Sequence, residues 1–411
     1  MSSSLVPRPF YDSTIDSLLG TPEIKVLVGV RRCGKSSLLE LLSKRLERKG
    51  VKASNIVHLK LDSYDVPLNP DEAWLYETLT ASLASADASQ TAYVLLDEVQ
   101  EVEHWENVVR RVNTRPDTQV FITGSNAKVL SGELATLLSG RYVEIPVFPL
   151  SYSEYSAFAQ AHRWPVTSED EIFQRYLTYG GMPALFERPF DDRDSIQKAL
   201  SAIFDSIILK DIVAREGVQD VDLLSKLIRY VFSTSGNLFS TKRVVDALTS
   251  SGRRASQETI DNYLAALKTA KILEECEQVG IAGKSVLRPK RKFYAVDNGL
   301  RNLSIGFNKT RDVGFQLEAV VFNELVRRGW QVHVGCMPGK EVDFVASRND
   351  QKAYLQVSQS VLDEGTYQRE IAPLEAISDA FPKVLLVADR WRLGTTESGI
   401  EIKSVLDWLK G

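Results

Sequence analysis

The sequence is short of the features that mark secreted, membrane-spanning or uniformly nucleic-acid-coating proteins. Its three cysteines, Cys33, Cys276 and Cys336, lie far apart with no C-x-x-C pair. That excludes a disulfide framework and zinc-finger spacing, and it fits a reducing cytoplasm. An excess of basic residues is also missing: 50 Lys and Arg against 54 Asp and Glu leave a formal charge of −4. Any contact with nucleic acid must therefore come from a local patch. No apolar run reaches bilayer-spanning length, and MSSSLVPRPF at the start lacks the apolar core of a signal peptide. The expectation is a cytoplasmic protein with no membrane partner. With 411 residues, 44% of them hydrophobic and 25% charged, the chain has the composition of a globular protein of two or three domains.

What is present is sharpest at Ile24 to Leu42, IKVLVGVRRCGKSSLLELL. Gly29, four residues, then Gly34, Lys35 and Ser36 fit the spacing of a phosphate-binding loop, with an apolar strand before it and a helical pattern after it. Gly29 and Gly34 let the backbone curl so that its N–H groups face the phosphates, while the helix start, including Ser37, adds a partial positive charge. Lys35 is expected to neutralise the terminal phosphates, and Ser36 to give a hydroxyl to Mg2+. The alternative is an ordinary strand-to-helix turn rich in glycine.

Ala92 to Val99, AYVLLDEV, is an apolar strand that ends in two carboxylates. After a phosphate-binding loop, such a pair assigns Asp97 to Mg2+ and Glu98 to polarising the attacking water. Gln119 to Asn126, QVFITGSN, repeats the design, and Ser125 or Asn126 could report the terminal phosphate. Arg141, in LSGRY, could act on a neighbouring subunit's nucleotide, or could simply form an ion pair within its own subunit.

The succession GVRRCGKSS, VLLDEVQ, FITGSN, LSGRY and PVFPLSYSEY resembles the AAA+-type ATPase module of a prokaryotic family whose members continue into a winged-helix segment and a nuclease-like domain. The resemblance implies a P-loop parallel sheet, ATP rather than GTP, and a homo-oligomer such as a hexameric ring. The expected fold class is α/β, with an AAA+-type core over 1–150, a helical lid over 151–215, a winged helix over 216–305 and a restriction-endonuclease-like α/β domain over 306–411.

In the middle, aromatic residues at helical spacing read as core, and the Gly180-Gly181 turn reads as a hinge of the lid. Ser240 to Leu248 and Gln257 to Ala270 form a helix-turn-helix pattern, followed by two strands, Ile272 to Val279 and Lys290 to Val296. Arg253, Arg254, Lys268, Lys290, Arg291 and Lys292 make this region locally basic, which suggests phosphate contacts to duplex or branched DNA. A protein-contact module with a solvated charged face is the alternative.

From Gly314 the order of helices and strands is similar to the PD-(D/E)xK nuclease fold. By that resemblance Glu318, Asp343 and Gln356 stand at the metal-gathering positions, while Ser358 stands where the lysine belongs. A neutral Gln356 and the missing cation suggest a weakened or inactive nuclease, with Lys352, on the same strand face as Gln356, as a candidate migrated lysine. The leading function class is an oligomeric ATPase that binds DNA and remodels it or translocates on it; the alternatives are a nucleotide-controlled switch or scaffold acting on a protein, and an active metal-dependent nuclease.

Overall fold

A computed structural model describes residues 5–124, 136, 138, 140–166, 168–214, 217–250, 252–253, 255–281, 290–307 and 313–411. The chain divides into two compact units, Met1–Phe148 and Pro149–Gly411.

The first unit is built on five parallel strands: β1 (Ile24–Val28), β2 (Ile56–Lys60), β3 (Ala92–Asp97), β4 (Thr118–Gly124) and β5 (Tyr142–Pro146). Their order across the sheet is β2-β3-β4-β1-β5. Every residue of β1 and β4 is buried, which is why these strands read as unbroken apolar runs rather than alternating ones. Helices α1 (Pro9–Leu18), α2 (Lys35–Arg48), α3 (Glu72–Ala84) and α4 (Trp105–Asn113) accompany the sheet. On α4 the i, i+1, i+4 pattern buries Val108, Val109 and Val112 and leaves Arg110 and Arg111 exposed. Because β4 lies between β1 and β3, the ends of all three strands meet at one edge of the sheet.

The second unit begins with α5 (Tyr152–Ala161), α6 (Glu169–Tyr179) and α7 (Arg193–Ser206), the last of which runs on into a π-helical stretch, Ile207–Val213. Ser151 and Glu154 form a reciprocal capping box at the start of α5. Next come α8 (Val221–Ser233), α9 (Thr241–Ser250), α10 (Gln257–Thr269), β6 (Leu273–Gly280) and β7 (Arg291–Ala295). The chain continues as α11 (Asn298–Ile305), α12 (Val313–Arg327), β8 (Gln331–Met337), β9 (Lys340–Arg348), β10 (Gln351–Ser358), α13 (Glu364–Glu375), β11 (Lys383–Val387), β12 (Gly394–Thr395), β13 (Glu401–Ser404) and α14 (Val405–Lys410).

Strand β6 is shared. Its first five residues pair antiparallel with β7, from Leu273 opposite Ala295 to Glu277 opposite Arg291. Its last three, Gln278 to Gly280, pair parallel with Val334 to Cys336 of β8. The hairpin and the C-terminal strands thus form one continuous series, β12-β13-β11-β10-β9-β8-β6-β7. Hydrogen bonding therefore runs across the expected boundary at residue 306.

The expected hinge at Gly180-Gly181 is instead a pinned corner. Gly181 donates its N–H to Asp297 Oδ2 at 2.6 Å, and its carbonyl accepts from Leu150 N at 2.7 Å. Gly180 has φ +76°, and a Cβ there would meet Asp297 Oδ1 at 2.1 Å, so both conformation and space demand glycine. Asp297 also caps α11 through Leu300 N. Asn302 of α11 donates to the Leu177 and Thr178 carbonyls of α6. These polar ties hold the expected lid segment to the later helices of the same unit.

Candidate functional site

The phosphate-binding loop bends between β1 and α2, with Gly34 in the left-handed region at φ 102° as the N-cap of α2. Gly29 is required for another reason. A Cβ there would lie 2.0 Å from the Val147 carbonyl oxygen, so the loop leaves β1 hard against the end of β5. The loop is also braced from the N-terminal side. The Arg8 guanidinium is 3% exposed and donates to the carbonyls of Cys33 and Phe148, each at 3.0 Å.

Lys35 is buried, and its ammonium donates to the Gly29 carbonyl at 2.9 Å and the Val30 carbonyl at 3.2 Å. Ser36 Oγ donates to Asp97 Oδ1 at 3.1 Å, joining the start of α2 to the end of β3. Ser37 is exposed one residue further along the helix. Glu98 follows Asp97 at φ 58°, outside the strand conformation, and its carboxylate accepts from Gln100 Nε2. Asp97 is 2% exposed. Burial raises its pKa, with the charges of Glu98 and Asp62 adding to the rise and hydrogen bonds from Thr123 and Ser36 opposing it.

Thr123 is the residue that sequence reasoning missed. Its hydroxyl donates to Asp97 Oδ1 and accepts the Glu98 N–H at 2.9 Å, so one buried side chain on β4 orients both carboxylate residues. Its only signal in the sequence is a polar residue next to the end of the otherwise apolar stretch VFITG. Asn126, the residue expected to sense the terminal phosphate, lies outside the described residues, as does Ser125.

A serine hydroxyl bonded to a carboxylate, beside a lysine at a helix N-terminus, suits Mg2+ arriving with a nucleoside triphosphate. Among the described residues no group of three or more His, Cys, Asp or Glu could hold a metal by itself, so the phosphates would have to supply ligands. Arg141 lies elsewhere. Register places Ile24 beside Tyr142, so Arg141 precedes the first residue of β5 at the strand edge opposite the loop. There it lines a cavity of about 370 Å³ with Arg110, Arg111 and Asn107.

The basic residues expected to face DNA are mostly engaged. Arg253 bonds Asp220 at 2.6 Å and also Asp222. Lys268 pairs with Glu275, and Arg291 reaches Asp261 at 2.7 Å and Glu275 at 3.1 Å. Lys290 is exposed, and Arg254 lies outside the described residues.

For Lys292 the expected DNA contact is corrected, because its side chain is only 4% exposed. Strand alternation points Lys292 and Tyr294 to one side, and there the ammonium meets Glu341 at 2.8 Å, Glu318 at 3.1 Å and Asp343 at 3.8 Å. Tyr294 donates its hydroxyl to Glu318 Oε1 at 2.6 Å. Glu318 and Asp343 are thus brought together as expected from their positions, but around a lysine. Gln356 is committed elsewhere: its carbonyl oxygen accepts from Asp343 N at 3.2 Å and its amide donates to Glu370 at 3.0 Å. Ser358 donates to the Ser360 carbonyl. Lys352 is not the migrated lysine, since it lies over the Tyr354 and Phe381 rings, 3.8 Å from Asp379.

Comparison with known proteins adds the following. Residues 21–156 match the family described as an AAA domain, and residues 170–311 match a domain of unknown function (DUF8612). An uncharacterized protein of Haemophilus influenzae is 36% identical over 413 residues, covering 100% of both chains. One from Methanocaldococcus jannaschii is 29% identical over 370 residues, covering 87% of this chain and 79% of that one. The solved structure of a Walker-type ATPase of Pyrococcus abyssi has a TM-score of 0.50 at 15% identity, covering 72% of this chain and 95% of that chain, which is a likeness of fold. Among the described residues, no helix is long and apolar enough to cross a membrane.

Proposed function

The chain belongs to the family of the Haemophilus influenzae protein that it matches from end to end, its first unit being a P-loop domain of AAA type, and on that premise we propose that it is an Mg2+-dependent ATPase acting as a nucleotide-controlled switch. The observation that carries the reading is the Ser36 to Asp97 hydrogen bond, which joins the phosphate-binding loop to the acidic strand end. Lys35, now held by loop carbonyls, would turn its ammonium to the terminal phosphates. Gly29, Gly34 and Ser37 belong to the loop and helix start that cradle them.

Ser36 and Asp97 would hold Mg2+, which when bound neutralises phosphate charge. Glu98 would take a proton from the water that attacks the γ-phosphorus. The bond from that phosphorus to the β-phosphate oxygen breaks, and ADP and phosphate leave. Thr123 keeps the two carboxylates apart in role by fixing Asp97 through its side chain and Glu98 through its backbone. Arg141, at the far strand edge, would serve the nucleotide of a second copy, which makes the active form a homo-oligomer, in keeping with a ring.

Helices α8 to α10 and the β6–β7 hairpin are read as a winged helix. Its side chains favour a protein partner over DNA: Arg253, Lys268 and Arg291 are neutralised by carboxylates, and the exposed residues of α10 include Glu258 and Asp261. A DNA-remodelling role is the second reading, supported by exposed Lys242, Arg243 and Lys290.

The test compares wild type, Lys35→Ala and Glu98→Gln for ATP binding and for turnover with duplex, forked and four-way-junction DNA at low salt. The switch reading expects ATP turnover insensitive to DNA, weakened binding in Lys35→Ala, and binding without hydrolysis in Glu98→Gln. Turnover stimulated by any of these DNAs would replace it with the remodelling reading. Normal hydrolysis by Glu98→Gln would remove the role given to that residue.

A further inference from the structure

The cluster around Lys292 has no part in the nucleotide site, and three separate stretches of sequence build it. Lys292 and Tyr294 come from β7, Glu318 from α12, and Glu341 and Asp343 from β9. The ammonium of Lys292 touches Glu318 and Glu341 within 3.1 Å and lies 3.8 Å from Asp343. The remaining valences are met by the protein itself. Tyr294 donates to Glu318, and Asp343 Oδ2 accepts from Val357 N at 2.9 Å. On another side the backbone of Gly236 comes so close that a Cβ there would meet Glu318 Oε2 at 2.9 Å.

In the nuclease fold that the C-terminal strands resemble, the positions of Glu318 and Asp343 gather a divalent metal. The residues present do not suit one. A fixed positive charge stands among the carboxylates, the oxygen of Gln356 is used by Asp343 N, and the position two residues after Gln356 holds Ser358. A divalent ion entering the cluster would meet a buried ammonium within a few ångströms, where screening by water is weak.

We infer that Lys292 is the resident cation of this cluster, filling with its ammonium the place a divalent metal would take, and that neutralising Lys292 turns the cluster into a divalent-cation site. The charge balance supports this directly. Three carboxylates around one ammonium leave a net negative pocket once the lysine is removed; spaced around the ammonium at 2.8 to 3.8 Å they do not form a metal site, and without it these oxygens, of the kind that Mg2+ and Mn2+ prefer, are free to close on a smaller ion. Although burial opposes its charge, the carboxylates of Glu318, Asp343 and Glu341 raise the pKa of Lys292, which agrees with a permanently charged plug. The cluster then needs no metal, and its carboxylates serve to hold β7 against α12 and β9.

The test is Mn2+ binding to the nucleotide-free full-length chain, followed by electron paramagnetic resonance, in wild type, Asp343→Asn, Lys292→Met and Lys292→Met/Asp343→Asn. Omitting nucleotide keeps the outcome independent of the ATPase reading. The expected result is no Asp343-dependent Mn2+ site in wild type, and one site per chain in Lys292→Met with affinity raised at least about 100-fold and lost again in the double variant. Mn2+ bound by wild type and released by Asp343→Asn would overturn the inference, since Lys292 would then not exclude the metal. A folded Lys292→Met protein that gains no site would overturn it as well. Should Lys292→Met fail to fold by circular dichroism, Lys292→Gln, which retains a donor for the carboxylates, takes its place, and the wild-type comparison stands without either.

Discussion

Thr123 and Asp97 share a buried hydrogen bond, and the same threonine oxygen receives the N–H of Glu98 at 2.9 Å. The end of β4 therefore sets the geometry of the two carboxylate residues at the end of β3. Thr123→Val keeps the shape and removes both interactions. ATP turnover is expected to fall by roughly 10- to 100-fold, the usual effect of losing a group that orients a metal ligand, with nucleotide binding less affected. Thr123→Ser should restore most of it. Steady-state phosphate release in the three proteins checks this, and equal rates for Val and Ser would count against an orienting role.

Gly29→Ala probes packing rather than backbone conformation. The added Cβ meets the Val147 carbonyl at 2.0 Å, and a backbone group cannot swing aside as a side chain can. A loss of about 1–3 kcal/mol in stability is expected, together with weaker ATP binding, because the loop is displaced from β5. Urea denaturation and nucleotide titration measure the two effects. A fully stable variant would show that β5 gives way.

Arg141 stands at the strand edge away from the phosphate-binding loop, so the proposed role in hydrolysis requires a second copy. Arg141→Ala and Lys35→Ala should each be inactive alone, and mixing them should recover part of the wild-type rate by forming sites with an intact loop from one copy and an intact arginine from another. Turnover by Arg141→Ala alone at the wild-type rate would dismiss the arginine from the reaction.

Asp297 gives a pH signature. Burial raises its carboxyl pKa to about 6 in spite of the N–H groups of Gly181, Leu300 and Gly299. The folded protein thus keeps this proton to higher pH than the unfolded chain, where the pKa is near the ordinary carboxylate value. The stability contributed by Asp297 is fully present below about pH 4 and is lost as pH rises through about 6, by roughly 3 kcal/mol. Relative to Asp297→Asn, wild type should lose stability over that interval, as read from urea midpoints at pH 4.5 and 7. A gap between the two proteins that does not change with pH would contradict the assignment.

The nucleotide site was legible in the sequence to the extent that it is local. Gly34, Lys35 and Ser36 are neighbours, and the Asp97-Glu98 pair ends a visible apolar run, so spacing alone brought them forward. Thr123 was not legible, because its role depends on β4 lying between β1 and β3, a fact of strand order that no window of residues contains. The same limit applied to charge. Arg253, Lys268 and Arg291 are plainly basic in the sequence, yet their carboxylate partners sit 7 to 33 residues away or on another element. Lys292 is the extreme case, since its nearest companions on α12 and β9 are reached only when the chain folds back on β7. At Gly180-Gly181 the glycines suggested freedom, and the partner that removes it, Asp297, is 116 residues further on.

The pairing of β6 with both β7 and β8 bears on how this protein can be taken apart. A chain cut near residue 306 would not release two finished pieces: one fragment would keep an unmatched strand edge at Gln278 to Gly280, and the other would lose the lysine that its carboxylates enclose. Insertions or exchanges between homologues at that point would meet the same penalty. The junction near Phe148 is the point where the chain passes from one compact unit to the next, and the residues after it hold together as a single unit.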